Sequence, residues 1–279
     1  MWQLTRIELF KIFRKPRTYI AFGAIASIVL LIQLALYSDG EEYLSFVMQS
    51  FNETFMVEGK KLNGYFVCYT ILQTLLIHVP LLIALVAGDM IAGEANMGTL
   101  RLLVTKPITR TQLLLGKFLA TTIYTLALLT FMALLSLFGS MLLFGVSDLI
   151  VFKSDMFILL EQDDVFWRYL CAFGFAALAM TTVASLAFFL SVFAENSIGP
   201  IIAAMSIIVV LTILISMDIA FFNHLRPYLF INHMLNWKGF FDKPVDYGEV
   251  LKSALVLLAH IIFFVSLTIF IFRKKDILS

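Results

Sequence analysis

Six apolar runs, at residues 18–37, 65–92, 113–145, 168–193, 198–222 and 252–272, divide the chain almost end to end. Each is long enough to cross a hydrocarbon layer of about 30 Å, which takes about 20 residues of α-helix. Hydrocarbon offers no partners to backbone N–H and C=O groups, so a crossing segment must satisfy them itself, as a helix does. The runs therefore predict an all-α polytopic membrane protein with six transmembrane helices. Composition agrees, with 61% of the 279 residues hydrophobic and 14% charged, against an apolar share of about 45–50% in soluble domains. No stretch between the runs is long and polar enough to be a soluble domain, so residues 1–279 are read as one transmembrane domain. The third run is over-long and is expected to include interfacial turns, and only Ala194-Glu195-Asn196-Ser197 parts the fourth from the fifth.

Ahead of the first run, residues 1–16 read as a basic amphipathic helix. Trp2, Leu9, Phe10, Ile12 and Phe13 fall toward one side, and Glu8, Lys11, Arg14 and Lys15 toward the other. Such a helix lies in the headgroup plane with Trp2, Leu9, Phe10 and Phe13 buried in lipid, and Pro16 turns the chain into the bilayer as an elbow. A cleaved signal peptide is not expected, since the run at 18–36 is long for its apolar region and no small-residue cleavage site follows.

The formal net charge is only +1, but its distribution is informative. Arg6, Lys11, Arg14, Lys15 and Arg17 precede the first run, Arg101, Lys106 and Arg110 follow the second, and Arg273, Lys274 and Lys275 follow the last. Asp39, Glu41, Glu42, Glu53 and Glu58, then Asp148, Asp155, Glu161, Asp163 and Asp164, occupy the alternate loops. The positive-inside rule then puts both termini in the cytoplasm. On the outer side, the connection at 223–251 carries Tyr228, Met234 and Trp237 in an apolar run too short to span, which predicts a helix resting in the interface. The loop at 146–167 has an apolar patch at Met156 to Leu160 beside a solvated acidic end.

Several chemistries are missing from the sequence. There is no phosphate-binding loop, since Gly116-Lys117 is followed by Phe118 and lacks the earlier glycine, so the chain is not expected to hydrolyse ATP itself. Zinc-protease and nucleophile-turn motifs are absent as well, so no catalytic residue is assigned. Cys68 and Cys171 are too few for a disulfide framework and wrongly spaced for zinc, and no metal site or nucleic-acid partner is expected. Within the runs, Gln73, His78 and His260 are the polar residues expected at depth, where ionisable groups cost about 2.5–3.5 kcal/mol. Neutral histidines bonded to neighbouring helices explain them most simply; a metal or proton path is the rival.

Between the second and third runs, residues 93–112 concentrate polar chemistry. Gly98 and Thr99 offer a helix start, Leu100, Leu103 and Val104 a short apolar stripe, Pro107 a stop, and Thr109 or Thr111 the next cap. A helix of about two turns is marginal alone and must dock on something. The pattern Glu94, Gly98-Thr99-Leu100-Arg101, Pro107, Arg110 and Leu115-Gly116-Lys117 resembles the loop after the second span in type-two exporter permeases of the ABC transporter superfamily, close to permeases for copper-enzyme maturation. That resemblance implies a cytoplasmic coupling helix, with Glu94, Gly98, Thr99, Leu100, Arg101, Leu103, Val104, Pro107 and Arg110 forming the surface on which an ABC ATPase subunit docks. It implies two copies of that ATPase, with ATP and Mg bound there and no cofactor on this chain. A second permease copy or a paralogue would complete the pathway, and short outer helices would precede the last span. The setting would be the plasma membrane, as a bacterial inner membrane, and the activity would be export of an unspecified substrate. Two rivals stand beside it: an ion-coupled secondary transporter using Gln73, His78 and His260, and a non-transporting mechanotransmitter or anchor acting through 223–251.

Overall fold

Pro16 separates the first two helices. A proline excludes the helical region for the residue before it, and Lys15 is extended at φ −85°, ψ 133°. In the computed structural model, which describes residues 1–47, 62–75, 78–99, 107–152, 157–217 and 220–275, α1 covers Trp2–Arg14 and α2 covers Pro16–Val47. Helix α2 continues past the predicted end at 37, over a break at Asp39 (φ −124°, ψ 18°).

The second apolar run is not one helix. It comprises α3 (Gly64–Leu75), α4 (His78–Ala87) and α5 (Asp89–Asn96), with α3 and α4 bent by 53°. Pro80 explains where α4 can begin: in a first turn, its missing N–H costs nothing. Gly88 marks the second interruption, where a Cβ would stand 2.9 Å from the Ala84 carbonyl oxygen and 3.3 Å from Pro200. The first-turn N–H groups of Ile91 and Ala92 have no partners within α5, and both donate to Ser191 Oγ, at 3.1 and 2.8 Å.

The over-long third run, expected to include interfacial turns, is instead continuous helix. Helix α6 (Arg110–Ala133) passes through a π turn at Leu134–Phe138 into α7 (Gly139–Phe144). A π turn loosens the regular ladder, and buried Gln33 of α2 compensates by donating to Leu135 O and Ser140 Oγ, both at 3.0 Å. Gly139-Ser140 thus receives a side chain from α2.

One expectation needs correction. The segment 146–167, expected as a loop with an apolar patch, contains in this otherwise helical protein the short strands β1 (Leu149–Phe152) and β2 (Phe157–Leu160), an antiparallel pair that sets Leu149 against Leu160 and Phe152 against Phe157. Both strands consist of the β-branched, aromatic and leucine side chains that suit a half-buried pleated surface; Met156 lies outside the described residues. The remaining elements are α8 (Gln162–Ser191), α9 (Ile198–Ser216), α10 (Ala220–Leu225), a 3₁₀ turn at Arg226–Tyr228, α11 (Phe230–Met234), a 3₁₀ helix at Leu235–Phe241, and α12 (Tyr247–Lys274). Short helices thus precede the last span, as the sequence led one to expect.

Five helices among the described residues are long and apolar enough to cross a membrane: Pro16–Ser45, Arg110–Phe144, Gln162–Ser191, Ile198–Ser216 and Tyr247–Lys274. The bent pair α3 and α4 would make a sixth span. Helix α8 is the centre of the bundle, packing on α4, α6, α9 and α12. Two of its hydroxyls are satisfied within the helix, Thr181 donating to Ala177 O at 2.7 Å and Ser185 to Thr182 O at 2.7 Å. Tyr169 OH donates to Tyr65 O at 2.6 Å, joining α8 to α3.

Close packing at the far end from the termini runs through Gly64. A Cβ there would stand 2.6 Å from both Met141 Cα and Ser140 O, which are backbone atoms. Gly64→Val is therefore expected to destabilise the bundle by about 1–3 kcal/mol. Gly174→Ala, where a Cβ meets nothing within 4 Å, should be neutral or slightly stabilising. Unfolding midpoints in detergent would compare the two, and equal loss in both would refute the packing role of Gly64.

Candidate functional site

The largest cluster of ion pairs among the described residues has a buried centre. Helix α1 lays Thr5, Glu8 and Ile12 against the bundle, crossing α6 at Gly116, where an added Cβ would stand 3.2 Å from Leu4 Cβ. This close approach brings Glu8 onto Lys117, whose side chain is 1% exposed. Helix α5 contributes Glu94 from the other side.

The four side chains close a ring of alternating charge. Lys117 Nζ lies 2.8 Å from Glu8 Oε2 and 2.7 Å from Glu94 Oε2, while Lys11 Nζ lies 2.7 Å from Glu8 Oε1 and 2.8 Å from Glu94 Oε1. Each cation touches both carboxylates and each carboxylate touches both cations, so the ring is neutral. Such pairing is what makes a buried ammonium tolerable, because desolvation of a lone one costs several kcal/mol.

A second cluster adjoins it. Asp89, at the start of α5, is paired with Lys15 Nζ at 2.5 Å and Arg17 Nη1 at 2.7 Å, and accepts a hydrogen bond from Ser197 Oγ. Three carboxylates thus meet four cations, an excess of one positive charge. A cleft of about 530 Å³ opens between α1, the start of α2 and α5, walled by Arg14, Lys15, Arg17 and Met97.

Arg110 completes the assembly. Thr109 caps α6 with a reciprocal bond to Gln112, and Arg110 Nη1 donates to the carbonyls of Phe272, Arg273 and Lys275 at 3.2, 3.1 and 2.8 Å. A guanidinium at a helix C-terminus satisfies carbonyls that have no partner within the helix and opposes the negative end of its dipole. Lys275 Nζ donates in turn to Val192 O at 2.7 Å. The N-terminal helix, α5, the start of α6, the end of α8, the start of α9 and the end of α12 therefore meet at one end of the bundle.

The residues expected to form a docking surface are divided. Leu100, Arg101, Leu103 and Val104 lie outside the described residues. Gly98 takes a positive φ of 67°, which glycine adopts without a steric penalty. Thr99 Oγ1 donates to Glu94 O at 3.3 Å, and Pro107 is exposed just ahead of the Thr109 cap. Glu94, expected on that surface, belongs to the buried ring. Arg110, expected there as well, bonds carbonyls of its own chain.

The amphipathic face of α1 also differs from the sequence reading. Trp2 and Phe10 are exposed, but Leu9 and Phe13 pack on the core, Phe13 edge-on to Tyr124 with ring centroids 6.4 Å apart. Glu8, assigned to the polar outer side, points inward. The fully apolar stripe expected for a helix lying only on lipid is divided here between lipid and protein.

Gln73, His78 and His260 form no common site. Gln73 Oε1 accepts from Lys238 Nζ at 2.9 Å. His78 Nδ1 is 3.0 Å from Thr74 O and His260 Nδ1 is 2.8 Å from Val256 O, local bonds to carbonyls four residues earlier. No group of three metal-ligating side chains occurs among the described residues. The buried histidine is His233, which sequence reasoning passed over: its Nδ1 is 2.8 Å from Ser253 Oγ and its Nε2 2.9 Å from Pro227 O, tying α11 to α12. The role of Lys117 was likewise missed, the residue being noted for failing as a phosphate loop and as part of the Leu115-Gly116-Lys117 pattern, not as a buried cation. A lysine about one turn inside an apolar run is itself a signal, since it demands a partner, and Glu8 is the acidic residue of α1.

The fold is that of a helical, multi-pass membrane protein with a buried cluster of ion pairs at one end. The chain belongs to the family described as "Protein of unknown function (DUF2705)", which matches residues 26–278. It is 25% identical over 201 residues to the "Uncharacterized protein YhcI" of Bacillus subtilis (strain 168); the match covers 69% of this chain, which spans 63% of that relative's length.

Protonation of the ring sets its pH range. Burial would raise the carboxyl of Glu8, but the charges of Lys117 and Lys11 outweigh it and hold it below its ordinary 4.5. Burial would likewise lower the ammonium of Lys11, but bonds to Glu8 and Glu94 outweigh it and hold it above its ordinary 10.5. A depressed carboxylate supports docking above 4.5, and that support is lost as pH falls through its lowered value. A raised ammonium supports it below 10.5, and that support is lost as pH rises through the raised value. A spin label at Thr5→Cys should stay immobile across the range between and gain mobility at the acid and alkaline limits. Lys117→Met should cost about 3–5 kcal/mol by leaving two carboxylates with one cation, and adding Glu8→Gln should recover part of it. Thermal unfolding that shows no recovery would argue against the ring.

Proposed function

We propose that this chain is the membrane-spanning subunit of an ABC exporter, driven by a separate ATPase that docks on the loop between α5 and α6. The observation that carries the proposal is the way both ends of this loop are tied. Glu94 at the end of α5 is held by Lys11 and Lys117, and Arg110 at the start of α6 is held by the carbonyls of Phe272, Arg273 and Lys275 at the end of α12. A loop anchored this way on two spans transmits displacement to them, which a loop tethered only by flexible chain does not.

The remaining features support the same topology. The segments joined at the charged end are those that an odd–even alternation of six spans places on one side, with α3 and α4 counted as one span. The positive-inside rule makes that side cytoplasmic. Trp2 and Phe10, exposed on α1 beside Arg14 and Lys15, suit the inner-leaflet interface, and α1 is then an elbow with one edge in lipid and one on protein. Six spans form half of a pathway, so a second copy or a paralogue completes the complex. The chain supplies no nucleotide-binding loop, and ATP and Mg belong to two partner ATPases. Gln73, His78 and His260 share no common site, which lends the ion-coupled reading no support.

The mechanism follows from the anchoring. ATPase closure pushes the loop; the ring carries the push to α1 and α6 together, while Arg110 carries it to α12, and the spans tilt between inward-open and outward-open arrangements. The test is co-purification of the tagged chain from native membranes with an ATPase carrying a phosphate-binding loop. A buried leucine at such a contact costs about 2 kcal/mol or more, roughly thirtyfold in affinity. Leu103→Asp should therefore release the ATPase and abolish its membrane-stimulated turnover. Arg110→Ala should keep the ATPase bound but loosen coupling, because Arg110 grips α12. Full retention of the ATPase by Leu103→Asp, or absence of any ATPase from the wild-type preparation, would sink the proposal.

A further inference from the structure

A recess of about 340 Å³ lies inside the bundle at the bend between α3 and α4. Its floor is α8, at Ala172 and Ala179; Trp237 of the second 3₁₀ helix covers it, and Val209 and Ile213 of α9 form its lip. Those two lip residues are 45% and 54% exposed, on a helix apolar enough to span the membrane. The recess therefore opens sideways, where the surrounding medium is hydrocarbon. Its size is at the lower end of the range of about 300–1,000 Å³ typical of small-molecule sites.

The chemistry of the walls selects the occupant. Thr212 is the one hydroxyl-bearing residue of the lining, and it donates to Ile208 O at 2.7 Å. Water entering the recess would find almost no partners, and apolar cavities of this kind stay dry. Left vacant, the walls lose dispersion contacts on their inner side. Met132, Met180 and Met234 contribute flexible, polarizable side chains that adapt to a variable apolar guest. Beside the cover sits a cation: Lys238 Nζ lies 5.8 Å from the centroid of the Trp237 ring and has only the neutral Gln73 amide as a partner among the described residues.

We propose that this recess holds one acyl chain of a membrane phospholipid, entering between the lip residues of α9, with the lipid phosphate met by Lys238. The lipid wedges the bend between α3 and α4 and acts there as a structural ligand. The proposal rests on the membrane placement of the helices and not on the ATPase partnership, so the two fail independently.

Trp237 provides the readout. The chain has three tryptophans, and Trp2→Phe with Trp167→Phe leaves Trp237 alone; it is 5% exposed and so shielded from bulk lipid. The protein is reconstituted in vesicles of phosphatidylglycerol brominated at mid-chain, and its fluorescence is compared with that in unbrominated phosphatidylglycerol. Bromine should quench Trp237 strongly. Ala179→Leu, which fills the floor, and Thr212→Phe, which blocks the exposed lip, should each remove most of the quenching while the emission in unbrominated vesicles is kept. Lys238→Gln should raise the proportion of brominated lipid needed for half-maximal quenching. Absence of quenching in the parent would overturn the proposal, whether the recess is empty or filled by a second copy of the chain. Equal quenching with Thr212→Phe, a change at an exposed position that does not tax folding, would overturn it also. An unshifted midpoint in Lys238→Gln would remove Lys238 from the site.

Discussion

The ammonium of Lys117 cannot be buried without Glu8 and Glu94, and much of this protein's architecture follows from meeting that demand. Lys117 is on a helix whose other side chains nearby are apolar, so its partners must arrive from elsewhere. Glu8 arrives because α1 turns a polar edge inward and because Gly116, the residue before Lys117, lets α1 come within contact of α6. Glu94 arrives because the second apolar run breaks at Gly88 and restarts as α5, whose free N–H groups are taken by Ser191. Each of these local departures from a plain membrane helix looks like a defect alone. Together they bring two carboxylates to one lysine.

The same end of the bundle is then stitched by polar bonds between segments distant in sequence. Asp89 connects the start of α2 to the start of α9 through Lys15, Arg17 and Ser197. Arg110 and Lys275 connect the starts and ends of α6, α8 and α12. At the opposite end the fastenings are of another kind. There Gly64 packs on backbone, Tyr169 stacks on Tyr65 with centroids 5.8 Å apart, and Arg168 holds the carbonyls of Phe240 and Asp242, both at 2.7 Å. Ionic bonds therefore dominate where the termini gather, and aromatic and backbone packing where they do not.

Much of the fold was legible because lipid enforces a simple rule. Runs of apolar residues long enough to span became helices, and the short apolar stretch at 223–251 became short helices as its length required. The misses arose where two requirements competed. The second run is long and apolar enough to span as one helix, yet it breaks, because Pro80 and Gly88 override hydropathy locally. The hairpin at 149–160 was hidden because its strands are only four residues long, and a run of that length has no decisive periodicity. On α1, the sides of the helix were correctly separated into polar and apolar, but not which one meets protein. Amphipathicity alone does not tell lipid from a buried carboxylate's partner; that distinction needs Lys117, more than a hundred residues away. Arg110 shows the same limit, since a basic residue at a loop end reads as a partner contact until the carbonyls of α12 are seen beside it.

Why the ring is ionic and not apolar is a question of what each can do. A hydrophobic contact of similar volume is often as stable as a buried ion pair, or more so, because it incurs no desolvation cost. Apolar surfaces, however, slide past one another with small penalties, whereas the ring satisfies its charges only when α1, α5 and α6 hold one mutual arrangement. Displacing any of the three separates a carboxylate from a cation at 2.7–2.8 Å in a buried place, so the elements move together or the ring breaks. The ring thus trades stability for registration. For a loop proposed to receive force from outside the membrane-spanning bundle, registration matters more: the push must reach α1 and the third span at once, and an ionic clasp at the root of the loop does that where an oily one would yield.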